Sequence, residues 1–233
     1  MFPKVKTGGH NPIAMNKYIL IFITFLAASS MTSPEAPWKL RLDREAIRVF
    51  TRPTVHSTVE ELKGECVIDA PVEVIWQVFL DVDSYTEWVG DCRESRKFNC
   101  SDMFSCTLYY MIGLPWPIAN RDVVLRSSVD IIDGDTLIAS VSVPEPSPVP
   151  LRPGCVRMTR MKGRWIFRRL ADSRTYVSME SWADPAGNIP AFIINHVSVT
   201  VPFTTLKGLR SMVKKEKYIR AAAGFDYGRF MKK

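Results

Sequence analysis

The 233-residue sequence is poor in the residue types that build metal and redox sites. Its three histidines are isolated and stand at no metal-ligand spacing from another histidine, a cysteine or a carboxylate, and its five cysteines form no Cys-x-x-Cys pair. The sequence also lacks a Gly-x-Ser-x-Gly elbow, a phosphate-binding loop and a dinucleotide fingerprint. We therefore predict no metal, no cofactor and no catalytic residue.

Glycine and proline are also too few, and too irregularly placed, for a fibrous or linker protein, with 12 and 16 residues respectively. Hydrophobic residues make up 46% of the chain and charged residues 24%, which excludes a disordered protein. A chain of this size buries roughly 70% of its unfolded surface and needs no metal or cross-link for stability. These values indicate one globular domain with a short additional segment.

A single long apolar run, residues 18–28, accounts for that additional segment. It is shorter than the ~20 residues of a transmembrane helix, follows Lys17 and precedes two serines, a pattern typical of a secretory signal peptide. We therefore expect residues 1–30 to comprise an upstream extension and a cleaved signal, residues 31–37 to be a linker, and the protein to be periplasmic or secreted. An uncleaved N-terminal anchor is the alternative.

Export would place the cysteines in an oxidising compartment. Cys100 and Cys106 flank a short segment that is typical of a hairpin turn. A disulfide between them is one possibility, and small buried thiols are the other. Since the number of cysteines is odd, at least one is expected to stay unpaired.

Hydrophobic periodicity and turn signals predict an α+β fold with an antiparallel sheet. Two strands precede a helix that begins near residues 69–71 and ends near residues 83–88. A run of strands follows, interrupted by the proline-rich loop 144–153; we predict these strands at 94–99, 106–112, 123–129, 137–143, 156–161, 165–169 and 175–183. A long helix from Pro190 to about Lys217 follows, and Pro202 inside it predicts a kink.

The segment 114–124, Leu-Pro-Trp-Pro-Ile-Ala-Asn-Arg-Asp-Val-Val, resembles the Pro-x-Pro-x-x-x-Arg-Asp signature of the StAR-related lipid-transfer (START) domains. Further fragments match in order at 81–88, 156–157, Trp165, 184–190 and Asn195. The resemblance spans nearly all of the chain after the linker and defines a domain at 38–220, with a basic tail at 221–233.

The START resemblance implies a helix-grip fold, in which a curved sheet holds the C-terminal helix over a cavity for one hydrophobic ligand. It implies a lipid carrier gated by the loop 114–120 and the last helix. A polyketide cyclase or dehydratase on the same fold is the alternative, because one scaffold hosts many functions.

One position departs from the family pattern. Similar phospholipid- and sterol-binding members carry a cavity arginine five positions after the motif aspartate, where this chain has Ser127. Strand alternation then points Val123, Leu125 and Ser127 inward and Arg126 outward. Leu108 stands where sterol carriers have an acidic partner, and Tyr110 shares its face.

Without that arginine, we predict a largely neutral ligand, such as a sterol-like, isoprenoid or fatty molecule, held by the hydroxyls of Ser127 and Tyr110. We interpret Arg121 and Asp122 as a structural ion pair. The predicted ligand-binding residues are Leu108, Tyr110, Trp116, Val123, Leu125, Ser127 and Asn195.

The net charge of +7 is concentrated on the predicted last helix. We predict that five of its basic residues dock on an anionic membrane: Lys207, Arg210, Lys214, Lys215 and Lys217. Basic residues near a helix C-terminus also favour the helix dipole, which is the alternative explanation. The sequence shows no nucleic-acid recognition motif, so we expect no nucleic-acid partner. We also expect the protein to be a monomer.

Overall fold

The computed structural model describes residues 36–54, 57–132, 135–171 and 173–225. The predicted upstream extension and signal, most of the linker, and most of the basic tail lie outside these residues. The predictions of a signal peptide and an export pathway are therefore carried forward as proposals.

Ten strands dominate the described part of the chain. They are β1 (Lys39–Arg44), β2 (Ile47–Thr54), β3 (Ser57–Ile68), β4 (Cys92–Phe98), β5 (Ser105–Ile112), β6 (Asn120–Ile132), β7 (Thr136–Ser142), β8 (Cys155–Arg157), β9 (Arg160–Ala171) and β10 (Arg174–Asp184). They form one sheet in the order β1-β2-β3-β10-β9-β7-β6-β5-β4. Neighbours in this order are antiparallel, and the short β8 pairs in parallel with the start of β6.

Three α-helices complete the described fold: α1 (Val72–Leu80), α2 (Ala191–Met212) and α3 (Glu216–Ala223). A 3-10 helix, Val82–Glu87, follows α1. Six of the nine residues of α1 are buried, among them Val72, Ile75, Trp76 and Phe79 at spacings of three and four, so most of this helix packs into the core. In β2, the buried Ile47 and Val49 flank the exposed Arg48, which is the alternation of a strand with one covered face. The predicted α+β class is confirmed.

Two predicted boundaries are wrong. We predicted a break between residues 161 and 165, but residues 160–171 form one strand. Gly163 pairs within the ladder and leaves room for Val141, because a Cβ at this position would lie 2.9 Å from Val141 Cγ2. The last helix ends at Met212 and not near Lys217. The chain turns there and starts α3, which buries Tyr218 and lets its hydroxyl donate to Asp81 Oδ2 over 2.9 Å.

The C-terminal half of α2 lies very close to its neighbours at three glycines, Gly64, Gly90 and Gly208, which we call the glycine clamp. A Cβ on Gly64 of β3 would lie 3.0 Å from both Leu206 and Pro202 of α2. A Cβ on Gly208 would lie 2.9 Å from Trp88 Cα, and one on Gly90 would meet the backbone of α2 at 3.1 Å. In addition, the Gly90 N–H donates to Thr205 Oγ1 over 2.9 Å.

The glycine clamp predicts that Gly208→Ala destabilises the protein. Alanine is about 1 kcal/mol better than glycine inside a helix, so an open site would gain stability. Here the new methyl group meets the Trp88 backbone, and overpacking of this kind costs about 1–3 kcal/mol. We expect the free energy of unfolding, measured by urea denaturation, to fall by about that amount.

Gly224→Ala is the matched control for this substitution. Gly224 caps α3 with a φ of −89°, and a Cβ there would meet nothing closer than 3.9 Å. We expect this variant to be as stable as the wild type or slightly more so. An unchanged or higher stability of Gly208→Ala would show that the close approach at Trp88 is not a packing constraint.

Candidate functional site

A cavity of about 220 Å³ lies beneath the N-terminal half of α2. The sheet supplies its floor through β5, β6, β9 and β10, and α2 covers it with Ile193, Val197 and Val201. Most of its wall is apolar; representative residues are Leu125, Met158, Met161, Trp165 and Ile189. Such a wall excludes water and favours a hydrophobic ligand.

The position of the cavity follows from how α2 is divided. Its C-terminal half is held by the glycine clamp, whereas its N-terminal half begins after Pro190 and spans the open part of the sheet. The buried Pro202 stands between the two halves, and it leaves the Ser198 carbonyl without the usual helical donor. The Ser198 hydroxyl lines the cavity and donates to the Ile194 carbonyl over 2.8 Å.

Three tyrosines line the cavity, Tyr85, Tyr109 and Tyr110, and the hydroxyls of Tyr85 and Tyr110 donate to backbone carbonyls. The Tyr85 hydroxyl donates to the Phe79 carbonyl over 2.7 Å, and the Tyr110 hydroxyl donates to the Gly90 carbonyl over a longer 3.4 Å. Burial raises the pKa of both phenols above the ordinary value of 10. Both hydroxyls therefore stay neutral at any physiological pH.

Arg121 fastens two loops at the cavity mouth. It is buried, and its guanidinium donates to the carbonyls of Ala119, Pro185 and Ala186 over 2.6, 3.1 and 3.0 Å. Burial lowers the pKa of this guanidinium from its ordinary value. The loop before β6 and the loop before α2, which bring Leu114 and Ile189 to the cavity, are thereby joined.

Asp122 forms its ion pair with Arg157, so the predicted pair with Arg121 is wrong. Neighbouring side chains on a strand point to opposite faces, and Asp122 lies on the outer face of β6. Its two carboxylate oxygens accept hydrogen bonds from Arg157 at 2.9 Å each, and the two side chains are 1% and 8% exposed. Arg157 also donates to the carbonyls of Val149 and Pro150, which fixes the proline-rich loop to the sheet.

Four of the residues predicted to point inward lie at or beside the cavity. Leu108, Tyr110 and Leu125 line the cavity, and Val123 is fully buried beside Leu108 and Leu125. Arg126 is exposed, so the predicted alternation along β6 is confirmed.

Three other predicted ligand-binding residues lie elsewhere. Trp116 is 92% exposed on the loop before β6 and does not line the cavity, whereas Leu114 of the same loop does. Ser127 lines a second, neighbouring cavity, so it does not share a single anchoring point with Tyr110. Asn195 lies on α2, but its side chain is outside the described part of the chain.

Sequence reasoning missed several wall residues, among them Met158, Met161 and Ile193. The spacing of apolar residues on the last helix does identify its buried face. It does not distinguish a face that packs on the sheet from one that covers a cavity.

Four of the five predicted docking residues contact their own chain. Lys207 forms an ion pair with Glu45, Lys215 with Glu87 and Lys217 with Asp81. Arg210 donates to the carbonyls of Ala46 and Val67, and Lys214 makes no such contact with the described residues. Burial alone would raise the pKa of Asp81, but hydrogen bonds from Ser84, Lys217 and Tyr218 outweigh it and hold that pKa below its ordinary value.

Of the two alternatives for Cys100 and Cys106, a disulfide or two buried thiols, the structure contains the disulfide, which lies at the start of β5. Cys66, Cys92 and Cys155 are free, and burial raises the pKa of both Cys66 and Cys92 to about 11. These two thiols are therefore protonated and unreactive under ordinary conditions.

Neither a metal site nor a membrane span stands out in the described residues. Their histidines, cysteines and carboxylates form no group of three able to hold a metal ion. Among these residues, no helix has the length and apolar character to span a bilayer.

A large antiparallel sheet and a C-terminal helix that together enclose an apolar cavity define the helix-grip architecture. A family model of the START domain matches residues 26–218. The chain therefore belongs to the START domain family, as the motif around Arg121 and Asp122 indicates.

Solved structures and curated proteins agree with this assignment. A STAR-related lipid transfer protein from Xanthomonas axonopodis superposes with a TM-score of 0.70 and 31% identity, over 76% of this chain and 99% of that one. Bovine phosphatidylcholine transfer protein is 25% identical over 69% of this chain and 76% of its own length. Human START domain-containing protein 10 is 24% identical over 82% of this chain, which spans 65% of that protein.

Proposed function

We propose that this protein binds one hydrophobic ligand in the cavity beneath α2 and transfers it between membranes, without catalysing a reaction. The observation that carries the proposal is the apolar wall, which offers a ligand mainly dispersion contacts and neutral hydroxyls. The names of the Xanthomonas and bovine relatives, both lipid transfer proteins, support the same class.

The proposed ligand is a sterol-like, isoprenoid or other lipid that carries no phosphate. Ser127 replaces the arginine expected from the resemblance, and Arg126 points away from the interior. Arg121 lies near the mouth, but its guanidinium is occupied by three backbone carbonyls. Among the described residues of the wall, a buried phosphate would find no free cation, and a buried charge without a partner is costly.

Export is part of the proposal. Disulfides persist in oxidising compartments, so the bond between Cys100 and Cys106 supports a periplasmic or secreted location.

Filling the cavity is expected to abolish ligand transfer. Leu125→Trp adds a bulky ring inside the cavity, whereas Arg126→Trp places the same ring on the opposite, exposed face of β6. We expect the first variant to lose at least about tenfold in transfer of NBD-labelled cholesterol or NBD-labelled fatty acid between vesicles, and the second to match the wild type. Ala183→Phe, at the cavity edge, is a second filling variant if Leu125→Trp does not fold.

Equal transfer by both filling variants and the wild type would contradict the proposed site. Thermal unfolding of each variant shows whether a loss of transfer comes from a loss of fold.

Membrane contact is better supported at the cavity mouth than on the C-terminal helices. Trp116 is 92% exposed on the loop before β6, and Leu151 is 76% exposed on the loop before β8. These loops emerge side by side, because β6 and β8 are parallel and pair Asn120 with Cys155. Tryptophan favours the membrane interface, and Leu114 of the same loop lines the cavity. We therefore propose docking through these two loops, assisted by Lys214, whose side chain makes no hydrogen bond or ion pair with the described residues.

Trp116→Ser is expected to weaken binding to vesicles of phosphatidylethanolamine and phosphatidylglycerol by about tenfold or more. The reason is that burying a large apolar side chain is worth roughly 1.5–3 kcal/mol. Leu170→Ser, at an exposed leucine near the end of β9, is the matched control and should bind as the wild type does. Vesicle sedimentation measures both.

A different result would place docking elsewhere. If Lys214→Glu abolished vesicle binding while Trp116→Ser left it unchanged, docking would occur through the basic residues near the C-terminus of the domain.

A further inference from the structure

Three acidic residues of β3 point to two different faces of the sheet. They are Glu60, Glu61 and Glu65. Side chains alternate along a strand, and Gly64 of β3 faces α2. Glu60, four residues earlier, therefore shares the face on which α2 encloses the cavity, whereas Glu61 and Glu65 lie on the outer face.

The two outward carboxylates are engaged within the protein. Burial alone would raise the pKa of both carboxyls, but hydrogen bonds from neighbouring basic side chains outweigh it and hold both pKa values below the ordinary value. Glu61 forms ion pairs with Arg52 and Lys162, and Glu65 forms them with Arg48 and Lys63.

Glu60 differs from both. Its side chain is half-buried, lines the cavity beneath α2, and makes no hydrogen bond or ion pair with the described residues. The antiparallel strands β3 and β10 pair Leu62 with Ser181. Glu60 is two residues closer to the loop before α2, so its carboxylate lies at the mouth of the cavity.

The other charged residues of the described wall have partners. The Arg121 guanidinium donates to three backbone carbonyls, and Glu180 forms an ion pair with Arg164. The described wall therefore contains one carboxylate that is free to accept a hydrogen bond and no free cation. Such a wall attracts hydrogen-bond donors and repels anions.

A lipid in the cavity would cover the Glu60 carboxylate and displace water from it. Removing water from a carboxylate is costly unless another donor takes its place. A ligand hydroxyl replaces the water with a charge-assisted hydrogen bond. An ester supplies no donor, and an ionised fatty acid adds a second negative charge beside the first.

We propose that Glu60 determines ligand specificity: it accepts a hydrogen bond from the hydroxyl group of an uncharged lipid at the cavity mouth and disfavours lipids that end in a carboxylate. The hydrocarbon part of the ligand extends from Glu60 into the space beneath α2. This inference rests on the proposed lipid-binding function, and it adds the functional group that is recognised and the orientation of the ligand.

Three ligands with the same alkyl chain separate the hydrogen bond from the charge. 1-Hexadecanol carries a hydroxyl, methyl palmitate carries no donor, and palmitate is an anion. Each competes at neutral pH with NBD-labelled cholesterol for the wild-type protein. We expect hexadecanol to bind about tenfold more tightly than palmitate, with methyl palmitate between them, because a hydrogen bond to a charged group is worth about that much.

Glu60→Gln removes the charge and keeps the size of the side chain. We expect its affinity for palmitate to rise about five- to tenfold and its preference for hexadecanol over methyl palmitate to shrink, because an amide is a weaker acceptor than a carboxylate. Asp130→Asn removes a negative charge from the exposed outer face of β6 and should keep the wild-type ratios. Ratios measured within one variant do not depend on its folded fraction.

The remaining outcomes separate this inference from the proposed function. Equal wild-type affinities for hexadecanol and palmitate, or wild-type ratios in Glu60→Gln, would overturn the role of Glu60 and leave lipid binding intact. If NBD-labelled cholesterol did not bind, and native mass spectrometry showed no complex with hexadecanol or palmitate, the proposed function would fail and this inference with it.

Discussion

The close approach of α2 to the sheet at the glycine clamp is the constraint on which the rest of the described structure depends. Gly64 lets Pro202 and Leu206 lie directly on β3, and Gly208 lets α2 contact the Trp88 backbone on its other side. Leu206 and Leu209 are fully buried as a result. Since one half of the helix is fixed on both sides, the other half is carried over the open part of the sheet, and an apolar space remains beneath it.

Buried polar contacts fix the surroundings of that space. Arg121 joins the loops at the cavity mouth by binding three of their carbonyls, and the ion pair of Asp122 with Arg157 holds the proline-rich loop against the outer face of the sheet. These two residues are adjacent in sequence but act on opposite faces of β6. In this protein the Arg-Asp pair of the family motif positions loops, because the hydrogen bonds of both side chains are made to other parts of the chain.

Much of the fold was predictable, because alternation in strands and three-to-four spacing in helices directly record which face is covered. The inward residues Leu108 and Leu125 and the outward Arg126 followed from that rule. The partner of Asp122 did not, since Arg157 is distant in sequence and reaches it only through the parallel pairing of β6 and β8. The outward position of Trp116 was not predictable either. The same holds for the ion pairs of Lys207, Lys215 and Lys217, because their acidic partners lie on other elements. Such contacts depend on the tertiary arrangement.

Native mass spectrometry of the protein, purified without detergent, tests the central claim most directly. If the cavity beneath α2 holds one hydrophobic ligand, a fraction of the molecules will carry a single bound lipid, and gentle activation will release it as one neutral species without phosphorus. The Leu125→Trp variant will then appear without this added mass. A wild-type protein that stays free of ligand even after incubation with lipid vesicles, or that releases a phospholipid as the dominant species, would contradict the account.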